Sequence, residues 1–159
     1  MKKLFIKSIL VFLAFIIMPC ITADAKLSAD QVYIGGITHK SSMDSIIELY
    51  GKPHVIKSTT YYWGDDSLTV YTWDPAHGQK DYAVEIRCAR KNGMATPAGV
   101  MVGMSENVLN QAYGKADVVD TDRNGQTVYT YFGEGGPCLV FRSKYGRIQV
   151  IEVTRGYFG

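Results

Sequence analysis

Hydrophobic and polar positions along this chain follow two periods. Ile46, Ile47, Leu49 and Tyr50, and again Val108, Leu109, Ala112 and Tyr113, recur at helical spacing. Ser42 and Ser105 stand where a helix N-cap belongs, and Gly51 and Gly114 stand where a left-handed C-terminal stop belongs. Pro53 reinforces the first stop. Elsewhere the period is two. Residues 59–63 and 68–73 flank Gly64-Asp65-Asp66-Ser67 and read as a hairpin; 118–121 and 126–132 flank Asn124-Gly125, a strong hairpin signal. Residues 82–89, 138–143 and 148–154 are further strands. Residues 31–37 and 98–102 read as extended, glycine-containing lead-ins to the two helices, and 95–102 as a strand joining the halves.

The helical signals recur at one offset. Gly36-Ile37, Ser42 and Tyr50-Gly51-Lys52 return 63 residues later as Gly99-Val100, Ser105 and Tyr113-Gly114-Lys115. Val55-Ile56 likewise returns as Val118-Val119, and after a register shift Val70-Tyr71-Thr72 matches Val128-Tyr129-Thr130. Self-similarity at a fixed period implies two copies of one unit. The pattern predicts an α+β fold. Two tandem repeats, residues 26–97 and 98–159, would each place a short helical segment before antiparallel strands, forming a sheet with helices on one face.

Residues 1–25 form a separate segment. Lys2, Lys3 and Lys7 precede the apolar run Leu10 to Ile17, and Ala23-Asp24-Ala25 supplies a small-x-small cleavage site. This is the layout of a secretory signal peptide, so the protein is expected to be exported, to a periplasm or the exterior, with no membrane insertion after cleavage. Cys20 would have to be the acylated residue of a lipoprotein leader, but Pro19 stands where such sites take a small residue. Removing 25 of the 159 residues leaves 134, and it takes away three Lys and one Asp, leaving 14 basic and 14 acidic residues. A neutral chain gives no electrostatic reason to expect nucleic acid as a partner. Cys88 and Cys138 remain; export permits a disulfide between them, and two separate buried thiols are the alternative.

Strand alternation supplies the candidate surface. Thr69, Tyr71 and Trp73 oppose Leu68, Val70 and Thr72; Thr127, Tyr129 and Tyr131 oppose Val128, Thr130 and Phe132. Aliphatic residues on one face imply a sheet covered on that side. Tyr61, Trp63, Tyr71, Trp73, Tyr129 and Tyr131 are then candidates for an aromatic binding face, since Tyr and Trp dominate interface hot spots. The alternative is ordinary cross-strand packing.

Gly-hydrophobic, Ser42, then Tyr50-Gly51-Lys52-Pro53 and a Tyr-rich hairpin resembles the BamE/SmpA outer-membrane assembly lipoproteins and the tandem-repeat beta-lactamase inhibitor proteins. Two copies in one short chain are nearer the inhibitor's layout. The resemblance implies helical units followed by antiparallel sheet, and action by binding another protein. The assembly lipoproteins carry a cysteine at their mature N-terminus, and this chain departs from that pattern.

Chemical motifs are weak. Asp120-Thr121-Asp122-Arg123-Asn124-Gly125 opens like a calcium loop, but the twelfth position, where a bidentate acid is required, is Tyr131. His39, His54 and His77 show no zinc spacing, and Ser105 in Gly103-Met104-Ser105-Glu106-Asn107 lacks the second glycine of a nucleophile elbow. No metal, cofactor or catalytic residue is expected. The expected function is an exported, non-catalytic module binding another envelope or secreted protein, in an assembly or inhibitor-like role. A glycan- or peptidoglycan-binding module is the alternative, and a small secreted hydrolase a third.

Overall fold

The computed structural model describes residues 26–72 and 82–156. The expected leader at 1–25, Trp73 and His77 lie outside the described residues. In chain order the elements are α1 (Met43–Tyr50), β1 (Val55–Lys57), β2 (Thr60–Trp63), β3 (Leu68–Thr72), β4 (Ala83–Cys88), α2 (Val108–Tyr113), β5 (Val118–Thr121), β6 (Thr127–Phe132), β7 (Cys138–Lys144) and β8 (Arg147–Thr154). All the strands join one eight-stranded antiparallel sheet in the order β1-β2-β3-β4-β8-β7-β6-β5.

This architecture corrects the expectation of two repeats, each with helices packed on a sheet. Among the described residues, one continuous sheet carries only two short α-helices, of 8 and 6 residues. The reason is local. Gly51 (φ 77°) and Gly114 (φ 74°) terminate the helices after about two turns, too short to cover eight strands. Irregular chain does most of the covering: Val32, Ile34, Ile37, Met94 and Val100 are buried beside Ile46 of α1 and Leu109 of α2. The expected strand at 95–102 is absent; only an isolated bridge joins Ala95 to Met101. The caps also differ. Ser42 Oγ accepts the Ser45 N–H at 3.2 Å, whereas α2 starts after Asn107 and Ser105 lies two residues before that cap.

Register defines the two faces of the sheet. Tyr61, Val70, Ile86, Val153, Leu139 and Tyr131 lie in one cross-strand row, and Trp63, Leu68, Cys88, Ile151, Phe141 and Tyr129 in the next. Both rows belong to the main core. The helix ends are tied to it by tyrosine tips: the Tyr50 hydroxyl donates to the Gly35 carbonyl, and the Tyr113 hydroxyl to Thr96 Oγ1. Burial raises the pKa of both phenols, keeping them donors.

Candidate functional site: the open face of the sheet

The opposite face carries a different chemistry. Its central row runs Val55, Tyr62, Thr69, Arg87, Glu152, Val140, Thr130, Val118 from one edge of the sheet to the other. Charges in the interior of strands are uncommon unless paired, and here they are paired in a chain. Arg87 Nε donates to Glu152 Oε1 at 3.2 Å, and Arg142 Nε donates to Glu152 Oε2 at 3.0 Å. The Arg142 guanidinium also donates to Asp122 Oδ2 at 3.2 Å. Glu152 is 6% exposed. Four residues on β4, β8, β7 and the β5–β6 hairpin are thus linked, with Glu152 at the hub.

Asp122 serves two structures at once. Its Oδ1 accepts the N–H groups of Asn124 and Gln126 at 2.8 and 3.0 Å, closing the turn that Gly125 (φ 69°) makes possible. The Gln126 N–H bond is the main reason its carboxyl sits below the usual range, with the Asn124 and Arg142 bonds adding to it. The calcium-like run therefore reads as a hairpin whose central acid is committed to the turn and to Arg142. Burial by itself would lower the Arg142 pKa, but Glu152 and Asp122 more than offset that and raise it.

Glu85 and Tyr71 lie opposite one another in the neighbouring row. Burial, then the nearby Glu152, raises the Glu85 carboxyl above its usual range, against the pull of Arg87 and Arg142. The folded chain therefore holds a proton at Glu85 where the unfolded chain has released it. The stability this group contributes is full below the ordinary carboxylate pKa and is lost as pH rises through the raised value. Glu85→Gln is accordingly expected to raise the thermal midpoint at pH 7, with the gain shrinking as pH falls to about 4. Differential scanning calorimetry across that range checks it, and an equal shift at every pH would refute it.

Toward β5 the face becomes apolar and concave. Val118, Val128, Thr130 and Phe132 line a cavity of about 270 Å³ with Asp120, Asp122 and Arg142 at its margin. Val128, Cys138 and Val140 form a small apolar cluster against Phe132, drawn from β6 and β7 alone. This combination of apolar floor and ion-paired rim suits recognition of a side chain with both apolar and polar parts.

Four of the five described sequence-derived binding residues do not share this face. Tyr61, Trp63, Tyr129 and Tyr131 lie on the core side, with Trp63 7% and Tyr131 3% exposed. Their polar tips are used internally: Trp63 Nε1–H donates to the Gly51 carbonyl at 2.9 Å, and the Tyr131 hydroxyl to the Gly114 carbonyl at 3.4 Å. Burial and the neighbouring Tyr129 push the Tyr131 phenol up to about 12. Tyr71 alone of the described candidates is on the open face; burial, then Glu85, raises its pKa. The expected disulfide is absent. Cys88 and Cys138 are both buried and not bonded to each other, since Cys88 pairs across from Ile151 on the core face and Cys138 across from Thr154 on the open face. The Cys88 thiol donates to Asn92 Oδ1 at 3.2 Å, and burial raises its pKa.

Residues missed by pattern reading are Arg87, Arg142, Glu152 and Glu85. The available signal was a charge in each otherwise apolar or β-branched strand, alternating with core residues. His54 is exposed, with Nε2 3.6 Å from Asp66 Oδ1, and His39 is half-buried with its pKa lowered by burial, then by Lys40 and Arg155. Among the described residues, no group of three or more His, Cys, Asp or Glu is placed to hold a metal, and no helix is long and apolar enough to cross a membrane.

No family model and no curated protein matches the chain. Among solved structures it is similar to the crystal structure of a DUF4309 family protein, YjgB, from Bacillus subtilis subsp. subtilis str. 168. The identity is 17%, over 74% of this chain and 80% of that one, with a TM-score of 0.49. A likeness at that level carries no functional inference.

Proposed function

We propose that the protein is an exported, non-catalytic module that binds another protein through the open face of its sheet. The observation that carries this reading is the concave apolar patch at Val118, Val128, Thr130 and Phe132, rimmed by the Arg142–Asp122 ion pair. A fixed charge pair beside an apolar depression provides both burial and directional contacts, the features that mark binding hot spots. The signal-peptide layout supports export, and the resemblance to BamE/SmpA-like repeat proteins, which act by binding other proteins, supports the same role.

The test uses the protein on a column exposed to envelope and secreted fractions of its source. A parallel column carries Phe132→Ala, chosen because Phe132 is only partly buried and its loss leaves the main core untouched. A partner held by the first and weakened roughly tenfold or more on the second is expected. Equal retention on both columns would move the site off this face. Retention on insoluble peptidoglycan with no protein captured would favour the glycan reading instead.

A further inference from the structure

The partner's mode of entry is legible at one edge of the sheet, and this inference rests on the protein-binding reading above. β5 is a terminal strand with all four residues exposed; Val118 is 43% and Val119 57% exposed. The hydrogen-bond alternation fixes which backbone groups face outward. The Asp122 N–H donates to the Gln126 carbonyl at 2.9 Å, so Asp120 and Val118, two and four residues back, also bond inward to Val128 and Thr130. Val119 and Thr121 therefore direct their N–H and C=O groups away from the sheet. The Thr121 N–H meanwhile donates to Asp120 Oδ1 at 2.7 Å, a bond that an incoming carbonyl can replace.

The opposite edge is blunted. β1 has three residues, follows Pro53 and ends in Lys57, devices that discourage edge pairing. β5 contains neither Lys nor Pro. Its open length is bounded by the Asn124-Gly125 turn at one end. At the other, Leu27 closes the sheet by donating its N–H to the Phe132 carbonyl at 2.9 Å and accepting the Glu134 N–H at 2.8 Å.

An added strand sends alternate side chains to opposite faces, and β5 is flanked by a depression on each. On the open face lies the cavity lined by Val118, Val128, Thr130 and Phe132, with Asp120 at its margin. On the core side a groove of about 420 Å³ runs between β5 and α2, apolar at Leu109, Ala116 and Val119 and polar at Glu106, Asn110 and Lys115. Arg142 brings no net repulsion to the first site, since Glu152 and Asp122 already pair with it. A Lys or Arg stem would lie along the apolar floor with its charge at Asp120. The core-side positions against Leu109, Ala116 and Val119 take aliphatic side chains. A second copy of this chain fits less well. In the register that pairs Val119 with Thr121 of the copy, the two Asp120 residues stand directly opposite, and like charges there are unfavourable.

We propose that β5 receives an extended segment of the partner polypeptide as a ninth strand, one in which aliphatic and basic residues alternate. The test uses NMR of the ¹⁵N-labelled protein with a capped Val-Lys-Val-Lys-Val-Lys peptide. The same peptide N-methylated at alternate residues and a Val-Glu hexapeptide serve as controls. Slowed amide exchange at Val119 and Thr121 is expected. Affinity should fall about tenfold or more for the N-methylated peptide, and similarly for Val119→Pro, which removes an outward N–H while keeping an apolar side chain at the groove. Binding of the N-methylated peptide equal to the parent, absence of binding at millimolar peptide, or equal binding of the Val-Glu peptide would overturn the proposal. A concentration-dependent dimer abolished by Val119→Pro would also overturn it, in favour of self-pairing. Partner capture lost in Phe132→Ala but kept in Val119→Pro would sink strand addition while leaving the open-face reading standing.

Discussion

Phe141→Ala is expected to destabilise the protein by about 4 kcal/mol, the range seen when a buried aromatic side chain is truncated and its cavity remains. Phe141 has no exposed surface and occupies the middle of β7, between Ile151 of β8 and Tyr129 of β6. Its ring meets Tyr131 edge-on at 5.9 Å and tilts against Tyr113 at 5.5 Å. Three aromatic residues from β6, β7 and α2 thus share one packing site, and two carry hydroxyls already committed to Gly114 and Thr96. Those bonds restrain Tyr113 and Tyr131 from collapsing into the vacated space, which keeps the expected loss off the lower end of the range. Urea denaturation measures it as a fall in midpoint with an unchanged slope. Phe141→Leu, which leaves less void, should lose less than half as much. A loss below about 1 kcal/mol for the alanine variant would show that the site is not packed as described.

Much of the strand content was legible in the sequence because turn chemistry is local. Asn124-Gly125 marks the β5–β6 hairpin, and Gly51 and Gly114 end their helices at positive φ. The faces were harder to read. Alternation separates odd from even positions but does not say which set is inside. In β3 the aliphatic residue Val70 is buried in the core and Tyr71 faces out, whereas in β6 Tyr129 and Tyr131 face the core and Val128 faces out. The likeness of Val70-Tyr71-Thr72 to Val128-Tyr129-Thr130 therefore joins triplets of opposite orientation. β6, paired with β5, holds the place that β2 holds beside β1, so Trp63 and Tyr131 are the comparable residues. Each reaches the carbonyl of the glycine ending its helix, which explains how a polar aromatic is stable inside. β1 was missed because three residues carry too little periodic signal. The union of β4 with β8 is a long-range pairing that no local pattern specifies. The charged network escaped notice for the same reason, since its members are 10 to 65 residues apart along the chain.

That network provides the second large effect. Glu152→Ala is expected to destabilise the protein by roughly 3 kcal/mol, because it leaves Arg87 and Arg142 on a shared face without the carboxylate between them. Removal of one partner from a buried ion pair costs 3–5 kcal/mol as a rule. The lower end applies here because the two arginine side chains remain 35% and 25% exposed, so water recovers part of the lost solvation. Replacing Arg87, Glu152 and Arg142 together with leucine should cost less than the single change, since the charge then left without an arginine, Asp122, still accepts the Asn124 and Gln126 N–H groups. Comparing the single and triple variants by chemical denaturation separates an uncompensated charge from simple loss of packing. A Glu152→Ala variant within about 0.5 kcal/mol of the parent would mean that the pairs are solvent-screened surface contacts. The same substitution bears on binding. Glu152 holds Arg142 at the margin of the Val118–Phe132 cavity, and Asp122 alone would then fix it. The partner's affinity should therefore fall in Glu152→Ala even after correction for the unfolded fraction, and an affinity unchanged after that correction would place Arg142 outside the contact.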